Sequence, residues 1–153
     1  MTIGLISDTH GLLRESAVAA LAGSDHIIHA GDVGGPEIIQ RLSDIAPITV
    51  VRGNIDTDPW GNALPETALV EAGELRIYVL HDLKQIRIHP ADTGYQVVVS
   101  GHSHKPAEER RNGVLYVNPG SAGPRRFRLP ITLAKLYISG ANVRAEVVNV
   151  SPQ

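Results

Sequence analysis

The stretch Ser7-Asp8-Thr9-His10-Gly11 decides how this chain is read. It follows an apolar run, residues 3–6, that reads as a buried strand. Asp8 and His10 stand two apart at the end of that strand. In extended backbone such residues share a face, and in the turn that follows both side chains can converge on one point. A carboxylate and an imidazole converging at a strand end suit a divalent metal. Taken alone, the pair reads equally well as a turn aspartate beside a surface histidine.

The flanking sequence adds weight. Residues 14–22 read as a helix with Val18, Leu21 and Ala22 on its apolar face and Gly23 as its stop. A short strand, 26–29, runs into Ala30-Gly31-Asp32. Pro36 opens a second helix reaching about residue 45, with Ile38, Ile39 and Leu42 inward. A third strand, 48–51, ends at Arg52-Gly53-Asn54. Alternating strands and helices predict a parallel sheet with right-handed crossovers. Ligands of such sheets gather outside the carboxyl ends of the strands, where Asp8, His10, Asp32 and Asn54 fall. Residues 57–66 read as a loop in which Trp60 packs the loop down first and rims a substrate cleft second. Strands 68–72 and 75–80 flank a tight turn at Gly73-Glu74, and the second ends at His81-Asp82. Residues 83–95 are ambiguous, with Pro90 able to open a short helix. Strand 96–100 leads into Gly101-His102-Ser103-His104, strand 114–117 into Asn118-Pro119-Gly120-Ser121, and a hairpin of 131–138 and 143–150 follows.

The length of 153 residues fits one domain, 1–153. Hydrophobic content of 42% and charged content of 20% exclude a disordered or fibrous chain. Aromatics make up 4%, which argues against an exposed base-stacking platform, and a formal charge of -2 gives no global footprint for nucleic acid. The absence of cysteine excludes disulfides, thiolate zinc sites and a cysteine nucleophile. No apolar run approaches the roughly 18 residues of a membrane span, and no secretory signal is legible at the N-terminus. The expectation is a cytoplasmic protein with no membrane partner.

Five strand ends thus carry Asp8, His10, Asp32, Asn54, His81, His102 and His104. These seven oxygen or imidazole donors exceed the roughly three or four protein ligands of one catalytic metal. They suffice for two ions about 3.5 to 4 Å apart if one carboxylate is shared. The mixed donors suit manganese, iron, nickel, cobalt or zinc.

The motifs Asp8-Thr9-His10, Gly31-Asp32, Gly53-Asn54, His81 and Gly101-His102-Ser103-His104 resemble those of the calcineurin-like metallophosphoesterases, in the family's order and over about residues 3–121. The short chain is most similar to the small YfcE-type phosphodiesterases. The resemblance implies an α/β fold, a four-layer αββα sandwich of two mixed β-sheets flanked by helices (the metallo-dependent phosphatase fold). It implies that Asp8, His10 and His104 hold one metal, that Asn54, His81 and His102 hold the other, and that Asp32 bridges. It further implies a small phosphodiester substrate attacked by a hydroxide between the metals, with manganese the first choice of cofactor and magnesium also admitted. Only Asp8 and Asp32 among the ligands are anionic, so two divalent ions leave a locally positive site that favours a phosphate ester.

Two departures stand out. The position after Gly53-Asn54, a histidine in many members and proposed there as the general acid, is Ile55, and Asp56 beside it is the candidate substitute. The residue after His81 is Asp82 where glycine is common; its charge would favour a monoanionic diester. His29 reads either as support for Asp32 or as a satisfied core histidine, and His26 and His89 as surface residues. Asn118 to Ser121 shape the cleft or form a plain turn. Arg110-Arg111 and Arg125-Arg126-Phe127-Arg128 read as solvated faces first and as a phosphate-steering rim second. The competing functions are a non-catalytic scaffold, like the retromer subunit of this fold, and a nuclease, which requires a continuous basic groove. A homo-oligomer is compatible with the sequence.

Overall fold

The computed structural model describes residues 1–151. The opening apolar run is β1 (Thr2–Ile6), with Ile3, Leu5 and Ile6 fully buried. α1 (Glu15–Leu21), β2 (His26–His29), α2 (Pro36–Ser43) and β3 (Ile48–Val50) follow, and the three strands pair in parallel. α1 buries Ala17 and Leu21; Ala22 is exposed, because the helix ends at Leu21. α2 starts with Pro36, which needs no amide partner there, and buries Ile38 and Leu42. Next come α3 (Pro59–Asn62), β4 (Thr67–Ala72), β5 (Leu75–Leu80), β6 (Val97–Val99), β7 (Ala107–Arg111), β8 (Val114–Asn118), β9 (Thr132–Ser139) and β10 (Asn142–Asn149).

Three segments differ from expectation. The loop 57–66 contains the single turn α3, whose Trp60 packs on the helix side of the core. Segment 83–95 holds a 3₁₀ turn, Leu83–Gln85, and no helix at Pro90, where Thr93 and Tyr95 amides fold back onto Pro90 in turns. β7 has no burial pattern in the sequence to mark it: all five of its residues are exposed, and antiparallel pairing to β8 holds it.

The strands form two mixed sheets, ordered β10-β9-β1-β2-β3 and β4-β5-β6-β8-β7. Ile3, Leu5, Ile28 and Leu136 of the first pack against Ile77, Val79, Val97 and Leu115 of the second. On the first sheet's outer face, Ile6 and Ile27 meet Leu21 and Leu42 of the helices. On the second sheet's outer face, Val98 and Val114 are covered by Leu83 and Ile86. The α/β sandwich is the expected class, with its fourth layer reduced to the 3₁₀ turn and adjoining loop. The loops after β1, β2, β3, β5 and β6 carry the candidate ligands, and those of the two sheets meet at one edge of the sandwich.

Candidate metal centre

The loops at this edge are built tightly. Beyond the strand ends the β1 and β2 loops stay paired, with Asp8 N–H donating to Gly31 O at 3.0 Å and His10 N–H to Asp32 O at 3.0 Å. Asp8, His10, Asp32, His102 and His104 all adopt left-handed backbone, with φ between 46° and 72°. Such residues cost about 1 to 3 kcal/mol each and persist where the surroundings over-determine them. Two glycines make the stacking feasible. A Cβ on Gly53 would collide with the Asp32 amide and carboxylate, and one on Gly101 with the Ser7 hydroxyl.

The side chains form two triads. Asp8, His10 and His104 bring one ligand atom each within 4.8 Å of one another, and Asp32, His81 and His102 do the same. Asp8 Oδ1 lies 3.5 Å from His104 Nε2 and 3.8 Å from His10 Nε2. Atoms bound to one ion at about 2.1 Å stand roughly 3 to 4 Å apart. The triads interlock at Asp32, whose Oδ2 is 3.2 Å from His81 Nε2 and 3.6 Å from His10 Nε2. Asp8 Oδ1, His10 Nε2 and His81 Nε2, the atoms that face one another in the triads, are buried without a hydrogen-bond partner among the described residues. Buried polar atoms are ordinarily paired, so these orphans together with the donor chemistry fit divalent metal binding.

The remaining atoms of these candidate ligands are fixed. Asp8 Oδ2 accepts from the Ser7 hydroxyl at 2.7 Å and from His102 N–H at 3.1 Å, which frees Oδ1 for the centre. Asp32 Oδ1 accepts from Ile55 N–H. His81 Nδ1–H donates to Ala30 O at 2.7 Å, so Nε2 carries the lone pair. His29 is fully buried; its Nδ1 accepts from Gly31 N–H, and its Nε2–H donates to Thr9, whose hydroxyl donates to Val33 O. It is therefore a satisfied core histidine that also joins the two ligand loops. Asn118 donates to Gly101 O and Ser103 Oγ, and Ser121 to Asp8 O, so that turn braces the ligand loops. Ser7 and Thr9 carried no separate signal in the sequence.

The electrostatics follow from this packing. Burial alone would raise the Asp32 carboxyl, but His81, the Ile55 amide and His10 outweigh it and hold it well below the usual carboxylate range. Burial lowers His81, yet Asp32, the Ala30 carbonyl and Asp8 shift it upward on balance. His104 is shifted downward, chiefly by burial and against the pull of Asp8. Burial pushes His29 down to about 4, against the attraction of Asp8 and Asp56.

Asn54 is exposed in a cleft shared with Arg52, His81, Asp82 and Arg87. Asp82 accepts from Lys84 N–H through Oδ1, and its Oδ2 lies 3.9 Å from His102 Nε2. Ile55 is 45% exposed. Asp56 is not brought to the cleft. It has no exposed surface, and its carboxylate accepts from the amides of Val33, Gly34 and Gly53. It braces the loops that carry Asp32 and Asn54, and solvent and substrate do not reach it. Adjacency to Asn54 in sequence does not reveal that turn inward. His26 is half-buried against Thr49, while His89 is exposed.

A family profile described as the calcineurin-like phosphoesterase superfamily domain matches residues 1–141. A protein named probable metallophosphoesterase from Methanothermobacter thermautotrophicus is 32% identical over 160 residues, 97% of this chain and 92% of its own. The structure of the Escherichia coli phosphoesterase YfcE superposes with a TM-score of 0.70 at 25% identity, over 90% of this chain and 88% of that one. Vps29 of Chaetomium thermophilum superposes with a TM-score of 0.80 at 19% identity, over 97% and 95% of the two chains, a likeness of fold. The chain belongs to the calcineurin-like phosphoesterase superfamily.

Proposed function

We propose that this protein is a metal-dependent phosphodiesterase working at a dinuclear centre. On this reading residues 1–153 form one phosphoesterase domain acting in the cytoplasm. Asp8, His10 and His104 hold one divalent ion, Asn54, His81 and His102 the other, and Asp32 serves both. The ions, when bound, would supply Lewis acidity toward the phosphate ester and lower the pKa of a bound water. One observation carries the reading: a single oxygen, Asp32 Oδ2, lies within 3.6 Å of both His10 Nε2 and His81 Nε2, nitrogens that lack hydrogen-bond partners among the described residues. Manganese is the first candidate, and the donors also admit iron, nickel, cobalt, zinc or magnesium.

The chain's other groups set which ester is accepted. Asp82, beside His102, adds a negative charge at the rim. That charge opposes a dianionic monoester more than a monoanionic diester. Ile55 provides no proton and Asp56 is turned away, so esters with good leaving groups are the favoured substrates. The phosphodiesterase and metallophosphoesterase names of the relatives support this class of reaction. A non-catalytic scaffold has only the shared fold of Vps29 in its favour. The test is turnover of an aryl phosphodiester by chelated and then manganese-reloaded protein. Recovery of activity on reloading is expected.

A further inference from the structure

The segment Pro124-Arg125-Arg126-Phe127-Arg128-Leu129 has no part in the centre described above, yet it borders it. It departs from Gly123, which packs against the main-chain carbonyls of Asp8 and Thr9. Phe127, Arg128 and Leu129 line one depression together with Ser103 and Lys105, the residues on either side of His104. Arg125, Arg126 and Arg128 are exposed, and none forms an ion pair with a carboxylate among the described residues.

Phe127 is the only phenylalanine in the chain. It is 92% exposed and holds a left-handed φ of 55°. A bulky side chain in that region is an outlier, and here no burial offsets its cost. Three of the four tyrosine rings, each half-buried, carry a guanidinium: Arg76 lies over Tyr95, Arg111 over Tyr116 and Arg144 over Tyr137. Phe127, flanked by three arginines, has no such partner among the described residues. An open phenyl face between unpaired guanidinium groups, beside a phosphoesterase centre, matches a ligand with both a planar ring and phosphates.

We propose that residues 125–128 are a substrate subsite in which Phe127 stacks a nucleobase and the arginines hold phosphate, so that the diester accepted is nucleotide-bearing. This rests on the phosphodiesterase reading. Stacking on a side chain requires an unpaired base, and the basic cluster is short on a chain of net charge -2. The fitting substrate is therefore a dinucleotide or short single strand rather than a duplex.

The test uses manganese-loaded protein and two esters with one leaving group, thymidine 5′-(p-nitrophenyl phosphate) and methyl p-nitrophenyl phosphate. Phe127→Ala should raise KM for the thymidine ester roughly 10-fold, the weight of one stacked base, with kcat and the methyl ester unchanged. Phe127→Trp should restore it. Gln at all three arginines should raise the same KM and flatten its salt dependence. A readout without turnover is binding of labelled pentathymidylate to chelated protein, which Phe127→Ala should weaken. Equal response of the two esters, or pentathymidylate binding indifferent to Phe127, overturns the subsite alone. Failure of the wild type to turn over either ester overturns the phosphodiesterase reading and the subsite with it. Binding to phosphatidylserine vesicles but not to pentathymidylate reassigns the loop to a membrane surface and overturns the proposal.

Discussion

His81 Nδ1–H donates to the main-chain carbonyl of Ala30 across 2.7 Å, a bond from the loop after β5 to the loop after β2. It ties the two sheets together at the edge where the ligands meet and fixes the ring so that Nε2 faces Asp32. His81→Ala should reduce bound manganese from two ions per chain to one, counted by elemental analysis. It should lower turnover of an aryl diester by about 100-fold or more, since outer partners alone cost about 10- to 100-fold. Unchanged metal content would remove His81 from the ligand set.

Asp56 should affect stability and leave the chemistry alone. Its three amide donors are charge-assisted bonds with no access to water. Asp56→Asn should cost about 2 to 4 kcal/mol, or roughly 5 to 15 °C in melting temperature. Across diesters of graded leaving-group pKa, rates should fall equally steeply in wild type and variant, because neither has a side-chain acid in place. A shallow wild-type dependence that steepens in Asp56→Asn would restore Asp56 as the proton donor.

Asp82 should set the balance between esters. Asp82→Asn removes a negative charge 3.9 Å from His102. The ratio of monoester to diester kcat/KM should rise on the order of 5-fold, more at low salt. A ratio that stays constant contradicts the assigned role.

His29 gives the chelated protein a pH dependence of known sign. Its folded pKa of about 4 lies below the ordinary 6.5, so the unfolded chain binds the extra proton between these values. Stability from this group is full above about 6.5 and falls as pH drops toward 4, by about 3 kcal/mol in all. His81, raised in the folded state, contributes in the opposite sense. Ring-nitrogen NMR of chelated protein should find His29 as the Nε2–H tautomer, titrating near 4. Protonation of its ring near 6.5 would contradict the hydrogen-bond assignment.

The parts of this fold that were legible in the sequence are those where one short segment carries its own physical reason. Apolar runs such as residues 3–6 had to be buried, and polar turns at their ends had to face the strand-end edge, which is why Asp8, Asp32 and His81 could be set on common ground. β7 carried no such signal: Ala107 to Arg111 are exposed, and main-chain pairing to β8 holds them. Sequence adjacency to Asn54 does not say which way a side chain turns, and Asp56 turns inward onto the Gly53 amide. A low aromatic content argued against stacking, but composition averages over positions and one exposed ring beside the centre escapes it. The left-handed backbone at five candidate ligand positions is likewise invisible in the sequence, since loop-to-loop packing imposes it rather than residue type.

The most direct test of the central claim is turnover of methyl p-nitrophenyl phosphate as a function of metal content. Chelated protein should be inactive, and activity should return as manganese is titrated in, reaching its plateau at two ions per chain. Asp32→Ala should lose both ions and more activity than any other single ligand variant, because its carboxylate faces both triads. Near-full activity in fully metal-stripped protein, or a plateau at one ion with Asp32→Ala no worse than Asp8→Ala, would contradict the dinuclear account.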